Sequence, residues 1–421
     1  MIETRMLLPG IQLRCCRDSR FKQGCLSLQL VRLMNREESP LNALLPSVLL
    51  RGTRQHTDLR AITEHLDTLY GAAVSPLVRR VGDYQTVGLY CAFMDDRFAL
   101  PGDRVMAPML AFLEELLLDP LTEGDGFPVD IVESEKKNLI ATIESDLNDK
   151  RTYAMTRLLK HMCSADSFGL PRLGEKEQVA AILPGELYAH YRKILRESEI
   201  RIFYVGSADG DTVAELLRPL AEKLGERYVN LPGQTALREG EQSHTVETMD
   251  VTQGKLCLGF TTHITNRSPQ FPAMQLLNTV FGAGMTSKLF MNVREKLSLC
   301  YSVGSGYYGS KGIVTVAAGI DFDKEQQTRE EIFRQLEACR NGEITPEELN
   351  AAKAAITSSL RATHDSPGTI EGYYATAALS GMGLSPAEYM AAVEAVTMED
   401  VVSAARTLTY HSSFFLKGVQ P

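Results

Sequence analysis

Two short runs near the start of the chain alternate apolar and polar residues, Ile11-Gln12-Leu13-Arg14-Cys15 and Cys25-Leu26-Ser27-Leu28-Gln29-Leu30, on either side of a polar stretch from Asp18 to Gln23. Period-two alternation marks strands with one buried face, and the intervening turn predicts that the two runs form a hairpin. Residues 40–50 are instead nearly all apolar, apart from Asn42 and Ser47, and follow a Ser39-Pro40 start. That length and that start predict a buried helix. From Arg60 to Leu69 the apolar positions Ala61, Ile62, Leu66 and Leu69 have helical spacing, the run ends at Tyr70-Gly71-Ala72, and strand-like text continues from Val74 to Phe93.

The second half of the chain repeats this order. Ala273 to Val280 is a helical run ending in Phe281-Gly282-Ala283, as the earlier one ends in Tyr70-Gly71-Ala72, and strands are expected after both. Setting Gly282 against Gly71 gives an offset of 211; setting Ile356, Ser358 and Leu360 against Ile143, Ser145 and Leu147 gives 213. Similar offsets at separated points predict a duplicated unit of about half the chain, and a repeat that long implies paired domains rather than a solenoid. Between them, Leu231-Pro232-Gly233-Gln234 through Glu239-Gly240-Glu241-Gln242-Ser243 is polar and aperiodic. This places a linker near residue 240 and domains at 1–235 and 245–421. Each half reads as strands, helices, more strands and a long helical tail. That is an α+β order with mostly antiparallel sheets and helices on one face, the two halves expected to face each other as a clamshell across a groove.

Composition narrows the partners. The 421 residues include 53 acids and 44 bases, a net charge of −9 spread along the chain, so neither a nucleic-acid face nor an acidic tail is indicated. At 44% hydrophobic and 23% charged residues the chain is an ordinary folded protein. No apolar run approaches the ~20 residues of a membrane helix, and Met1-Ile2-Glu3-Thr4-Arg5 opens no signal peptide, so a cytoplasmic protein is expected. The eight cysteines have no Cys-x-x-Cys spacing and read as reduced, mostly buried residues.

Metal and nucleophile motifs are scarce. None of the eight histidines stands three to five residues from another, so a helical two-His zinc site is absent; Glu64-His65-x-Asp67 is either part of a site assembled from distant segments or a solvated helix face. No Gly-x-Ser-x-Gly elbow, phosphate loop or dinucleotide fingerprint occurs. The most distinctive stretch is 282–301. It opens with the Gly-rich turn Gly282-Ala283-Gly284-Met285-Thr286-Ser287, continues as a helix from about Ser287 to Lys296, and enters a strand near Leu299, with Arg294 and Tyr301 on either side of the corner. A guanidinium and a phenol so held can both donate hydrogen bonds to a carbonyl oxygen. The alternative is that Arg294 pairs with Glu295 or another carboxylate and Tyr301 is simply half-buried.

This stretch, Leu289-Phe290 through Val293-Arg294-Glu295-Lys296-x-x-Leu299-x-Tyr301, resembles the second-half signature of the insulinase and pitrilysin family, the inverzincins, which include mitochondrial processing peptidases and the core subunits of the respiratory cytochrome bc complex. The resemblance covers most of the chain, including Thr252-Gln253-x-Lys255-Leu256-x-Leu258-Gly259-Phe260. It implies an insulinase-type fold in which Arg294 and Tyr301 bind the scissile peptide and its tetrahedral intermediate. The family's zinc motif, H-x-x-E-H, lies shortly before a Gly-Thr pair. Counting back from Gly52-Thr53, its histidines and glutamate are replaced here by Ala43, Ser47 and Pro46, and the third ligand, seven residues after Glu135, by Thr142. The resemblance therefore implies a chain without zinc, paired with a zinc-bearing homologue in a heterodimer of bacterial style, or with itself, and acting on peptides. A scaffold role and an unorthodox peptidase site at Glu64, His65 and Asp67 are the other readings.

Overall fold

The computed structural model describes residues 2–233 and 236–419; Met1, and Gln234 of the expected linker, lie outside the described residues. Strands β1 (Ile2–Leu8), β2 (Ile11–Arg17), β3 (Gln23–Leu33), β4 (Ala73–Val81), β5 (Tyr84–Met94) and β6 (Glu199–Gly206) form one sheet in the order β1-β2-β6-β3-β5-β4. Strands β7 (His244–Met249), β8 (Gly254–Thr261), β9 (Cys300–Tyr308), β10 (Ile313–Ile320) and β11 (Thr409–Gly418) form a second in the order β7-β11-β8-β10-β9. Without β1 the two orders are the same: β2 to β6 answer to β7 to β11. Each sheet has one parallel pair, at the same place, β2 with β6 and β7 with β11, and is otherwise antiparallel.

The helices keep the same duplicated order. The first set is α1 (Glu38–Leu49), α2 (Leu59–Thr68), α3 (Met106–Leu118), α4 (Val129–Asn148), α5 (Lys150–Met162), α6 (Lys176–Ala181) and α7 (Pro184–Glu197), with α8 (Gly210–Leu224) leading out of β6. The second is α9 (Phe271–Asn278) with a π-helical extension Thr279–Ala283, a π-helix Leu289–Lys296, then α10 (Glu325–Arg340), α11 (Pro346–Ala362), α12 (Pro367–Ser380), α13 (Pro386–Ala395) and α14 (Met398–Thr407). Ile143, Ser145 and Leu147 end α4 as Ile356, Ser358 and Leu360 end α11, so that anchor of the repeat matches. The other is displaced. Phe281-Gly282 ends the helix that answers to α1, whereas Tyr70-Gly71 comes after α2, the counterpart of the π-helix. An aromatic-Gly-Ala triplet suits any helix end, so the textual match carried no register.

The expected hairpin does not form. β6 inserts between β2 and β3, parallel to one and antiparallel to the other, with Ile200 opposite Ile11 and Ile202 opposite Leu28. β6 offers Ile200, Ile202 and Tyr204 to the same buried face as the apolar residues of both neighbours, and the Asp18–Gln23 stretch spans its width. The hairpin partner of β2 is β1, joined through Pro9-Gly10, with Gly10 at φ +76.

Two compact units emerge: Met1–Glu144 with Pro171–Pro232 and His364–Thr376, and Ser145–Leu170 with Gly233–Thr363 and Ala377–Pro421. Compared with halves of 1–235 and 245–421, they differ by an exchange of counterpart segments, one bearing α5 and the other the start of α12. In the first unit, Leu26, Leu28 and Leu30 of β3 pack beneath α1, α3, α7 and α8. On the opposite face Cys16, Cys25 and Val205 meet Ile370 and Tyr374 of α12. In the second unit Phe260 of β8 packs edge-on against Phe333 of α10, while Cys257 and Phe414, on the other face, receive Ala154 and Leu158 of α5. Each sheet thus has a helical layer on one face and a helix from the other half of the chain on the second.

Both incoming segments carry a buried carboxylate that the host unit neutralises. Glu371 accepts from Arg79 of β4 (2.8 and 2.9 Å), Ser27 (2.6 Å) and Gln29 (3.0 Å). Asp166, beyond α5, pairs at 3.1 Å with Lys311 of the β9–β10 turn, both side chains fully buried. A buried carboxylate without such a partner would cost several kcal/mol, so these pairs fix where each segment can sit.

Candidate functional site

The four positions implied for zinc lie in the first unit. Ala43 and Pro46 are buried in α1, Ser47 is half-buried, and Thr142 is exposed on α4, its hydroxyl donating to the Asn138 carbonyl at 3.0 Å. Arg51, just beyond α1, pairs with Glu135 of α4 at 3.3 Å, which ties the two helices. Glu144, two residues past Thr142, pairs at 3.2 Å with Lys176. A methyl, a proline ring and two hydroxyls, one already donating to the backbone, do not make a zinc ligand set, so this region does not fit the ion that the family motif holds. The helix is committed to packing instead: Leu44, Leu45, Val48 and Leu49 enter the core. Beside Ala43, Asn42 donates to Gln85 (2.8 Å) and accepts from His190 Nε2 (2.7 Å). Burial lowers the His190 pKa to about 4, keeping the imidazole neutral.

The Glu64, His65 and Asp67 trio does not assemble. Glu64 pairs with Arg60 at 2.8 Å in solvent and Asp67 is exposed, while His65 stacks on His56 (centroids 4.6 Å apart) and Phe112. His56 Nδ1 meets Glu115 at 2.8 Å, beside a cavity of about 790 Å³. Sequence spacing missed this grouping because Glu115 comes from α3. Among the described residues, no group of three or more His, Cys, Asp or Glu is disposed to hold a metal ion.

Arg294 and Tyr301 lie in the second unit, on the two sides of the corner between the π-helix and β9. Lys288, just ahead of the π-helix, is buried against Glu348 at 3.0 Å, and Asn292 donates to the Lys288 carbonyl and to Gln335, both at 3.0 Å. At the far end Leu297 caps the helix and Ser298 turns the chain at φ +49, a conformation that non-glycine residues rarely adopt. Arg294 has 40% of its side chain exposed, lies over the Phe290 ring at 4.6 Å and pairs with Glu295 at 3.5 Å. Tyr301 is 62% exposed, so it is not half-buried, and its hydroxyl donates to Asp321 at 2.9 Å. That bond raises the phenol pKa. Lys324 approaches Asp321 at 3.3 Å and donates to the Ser298 carbonyl at 3.3 Å. Neither Asp321 nor Lys324 had a signal in the sequence, since β10 separates them from the motif.

Residues 182–356 match the family model described as the peptidase M16 inactive domain. A probable inactive metalloprotease of Bacillus subtilis, YmfF, is 28% identical over 411 residues, covering 98% of this chain and 96% of that protein. The chain resembles M16 peptidases along its whole length. A solved structure of a conserved protein from Enterococcus faecalis superposes with a TM-score of 0.92 at 26% identity, over 100% of this chain and 99% of that one. The peptidase M16 inactive domain from Pseudomonas fluorescens, at 18% identity and a TM-score of 0.81 over 100% and 98% of the chains, shares the fold. The chain thus has the insulinase-type α+β architecture expected from its sequence, and its likeness is to an inactive M16 metalloprotease homologue. No helix among the described residues is long and apolar enough to cross a membrane.

Proposed function

We propose that this M16 homologue is the zinc-free subunit of a two-chain peptidase, presenting Arg294 and Tyr301 to a peptide while a zinc-bearing homologue supplies the metal. The observation that carries this is a contrast in exposure: the helix bearing Ala43, Pro46 and Ser47 is mostly core, while the Arg294–Tyr301 corner holds its polar groups at the surface. Residues kept only for packing would bury, and a relic under no constraint would relax to an ordinary α-helical corner. Arg294 can donate to a peptide carbonyl as charge develops on its oxygen, the kind of stabilisation whose removal costs ~100-fold or more in turnover. Mixing the full chain with a zinc-bearing M16 homologue from the same cell should give peptide cleavage that neither chain shows alone. Cleavage by the homologue unchanged by this chain would count against the pairing. A scaffold role is favoured by one feature, the engagement of the Tyr301 hydroxyl by Asp321 within the chain, and predicts association without any change in cleavage.

A further inference from the structure

A carboxylate cannot donate, so the 2.9 Å contact between Tyr301 and Asp321 fixes the phenol proton on the Asp321 side. The oxygen of Tyr301 is then left with lone pairs and no second proton. It can accept a hydrogen bond but cannot give one without leaving Asp321. We propose that Asp321 is a positioning residue that sets Tyr301 as an acceptor for a peptide N–H, so that Arg294, which only donates, and Tyr301 read opposite polar groups of an extended peptide backbone. This deepens, and rests on, the peptide-receiving role of the Arg294–Tyr301 corner.

Three contacts hold the arrangement. Asp321 comes directly after the last residue of β10, and its neighbour in the sheet, β9, carries Tyr301, so the two side chains arise from adjoining strand ends. Lys324, one turn beyond Asp321, neutralises the carboxylate at 3.3 Å and donates at 3.3 Å to the carbonyl of Ser298. The ammonium therefore braces the same left-handed corner that separates Arg294 from Tyr301. A free phenol at this exposed place would rotate among water partners, whereas one held by a charged acceptor presents a single lone-pair direction.

The test uses the full chain, with fluorescein-labelled casein as an unfolded polypeptide probe and carbon-13 tyrosine NMR to follow the phenol, the Tyr301 signal being the one lost in Tyr301→Phe. Asp321→Ala should lower the Tyr301 titration midpoint toward the ordinary phenol value and weaken casein binding by about 2- to 10-fold, the span of one lost hydrogen bond. Asp321→Asn, which keeps an acceptor oxygen, should restore most of the binding. In a Tyr301→Phe background Asp321→Ala should cost nothing further. An unmoved midpoint, full binding by Asp321→Ala, or an equal loss in both backgrounds would overturn the positioning role while leaving the peptide-receiving corner standing. Unchanged binding by Tyr301→Phe itself would overturn both.

Discussion

The α2-to-β4 corner of the first unit and the π-helix-to-β9 corner of the second hold the same place in the duplicated order, and each turns on a non-glycine residue at positive φ, Tyr70 at +62 and Ser298 at +49. They differ in how the chain arrives. α2 is a regular helix whose N-terminus is capped by Asp58, the side chain accepting from Ala61 at 2.8 Å; its counterpart, where Ser287 accepts from Phe290 at 3.3 Å, winds as a π-helix. Counting from the capping residues Leu69 and Leu297, Arg294 matches Leu66, which packs against the first core, and Tyr301 matches Ala73. π-turns are rare because their hydrogen bonding and packing are poorer than those of an α-helix, and they concentrate at functional sites. The first corner also carries an exposed phenol, Tyr70 donating to Asp103, but at the places of Arg294 and Tyr301 it has Leu66 and Ala73, so the π-helix and the Arg–Tyr pair belong to the second corner.

That contrast presupposes two equivalent units, each closed by a segment from the other half, and the closures can be broken separately. Lys311→Met removes the fully buried counter-charge of Asp166, leaving the carboxylate its bonds from the Phe168 and Arg238 N–H groups, and should cost about 3–5 kcal/mol, seen as lost hydrogen-exchange protection over α5. Arg79→Met should cost less, about 1–3 kcal/mol, because Arg79 is one-third exposed where Lys311 is fully buried, so water can take part of its place, and Glu371 keeps its bonds from Ser27 and Gln29. Equal losses would contradict the ranking by burial of the cation, and no loss from Lys311→Met would show that the second unit does not depend on its buried pair.

Acid should act on the first unit through His190. Its folded pKa of about 4 lies below the ordinary 6.5, so between these values the unfolded chain takes up a proton that the folded chain refuses. Stability present above pH 6.5 should therefore fall by roughly 3 kcal/mol as pH drops through this window, measured by denaturant unfolding. His190→Gln should flatten that slope. Ala43→His, which places an imidazole at a packed position 5% exposed, should cost about 1–3 kcal/mol through overpacking. A neutral result would mean that α1 still has room for a ligand. The smallest effect is expected at Ser298→Gly, a gain of at most about 1 kcal/mol from relieving the left-handed backbone.

Much of this was legible in the sequence, but unevenly. The α+β order and the helical span of α1 come from local periodicity, which residues 40–50 and 60–69 carry in full, whereas the duplication rests on the Ile143–Ile356 anchor, the aromatic-Gly-Ala one being displaced. Strand order does not: nothing in Ile11–Cys15 or Cys25–Leu30 announces that β6, more than 160 residues on, will insert between them. The exchange was hidden for the same reason, because the apolar face of α5 at Ala154 and Leu158 calls for a sheet without saying which. At the site, Arg294 and Tyr301 were found through their spacing and their resemblance to a motif. Asp321, Lys324 and the His56–Glu115 contact join residues from separate elements, and only the fold brings them together.

The central claim, that this chain lends Arg294 and Tyr301 to a partner's reaction, is tested most directly by turnover in the reconstituted pair with Arg294→Ala, with association measured on the same sample. Turnover should fall by ~100-fold or more while the two chains stay together. Full activity from Arg294→Ala in an intact complex, or a loss that merely tracks dissociation, would contradict it.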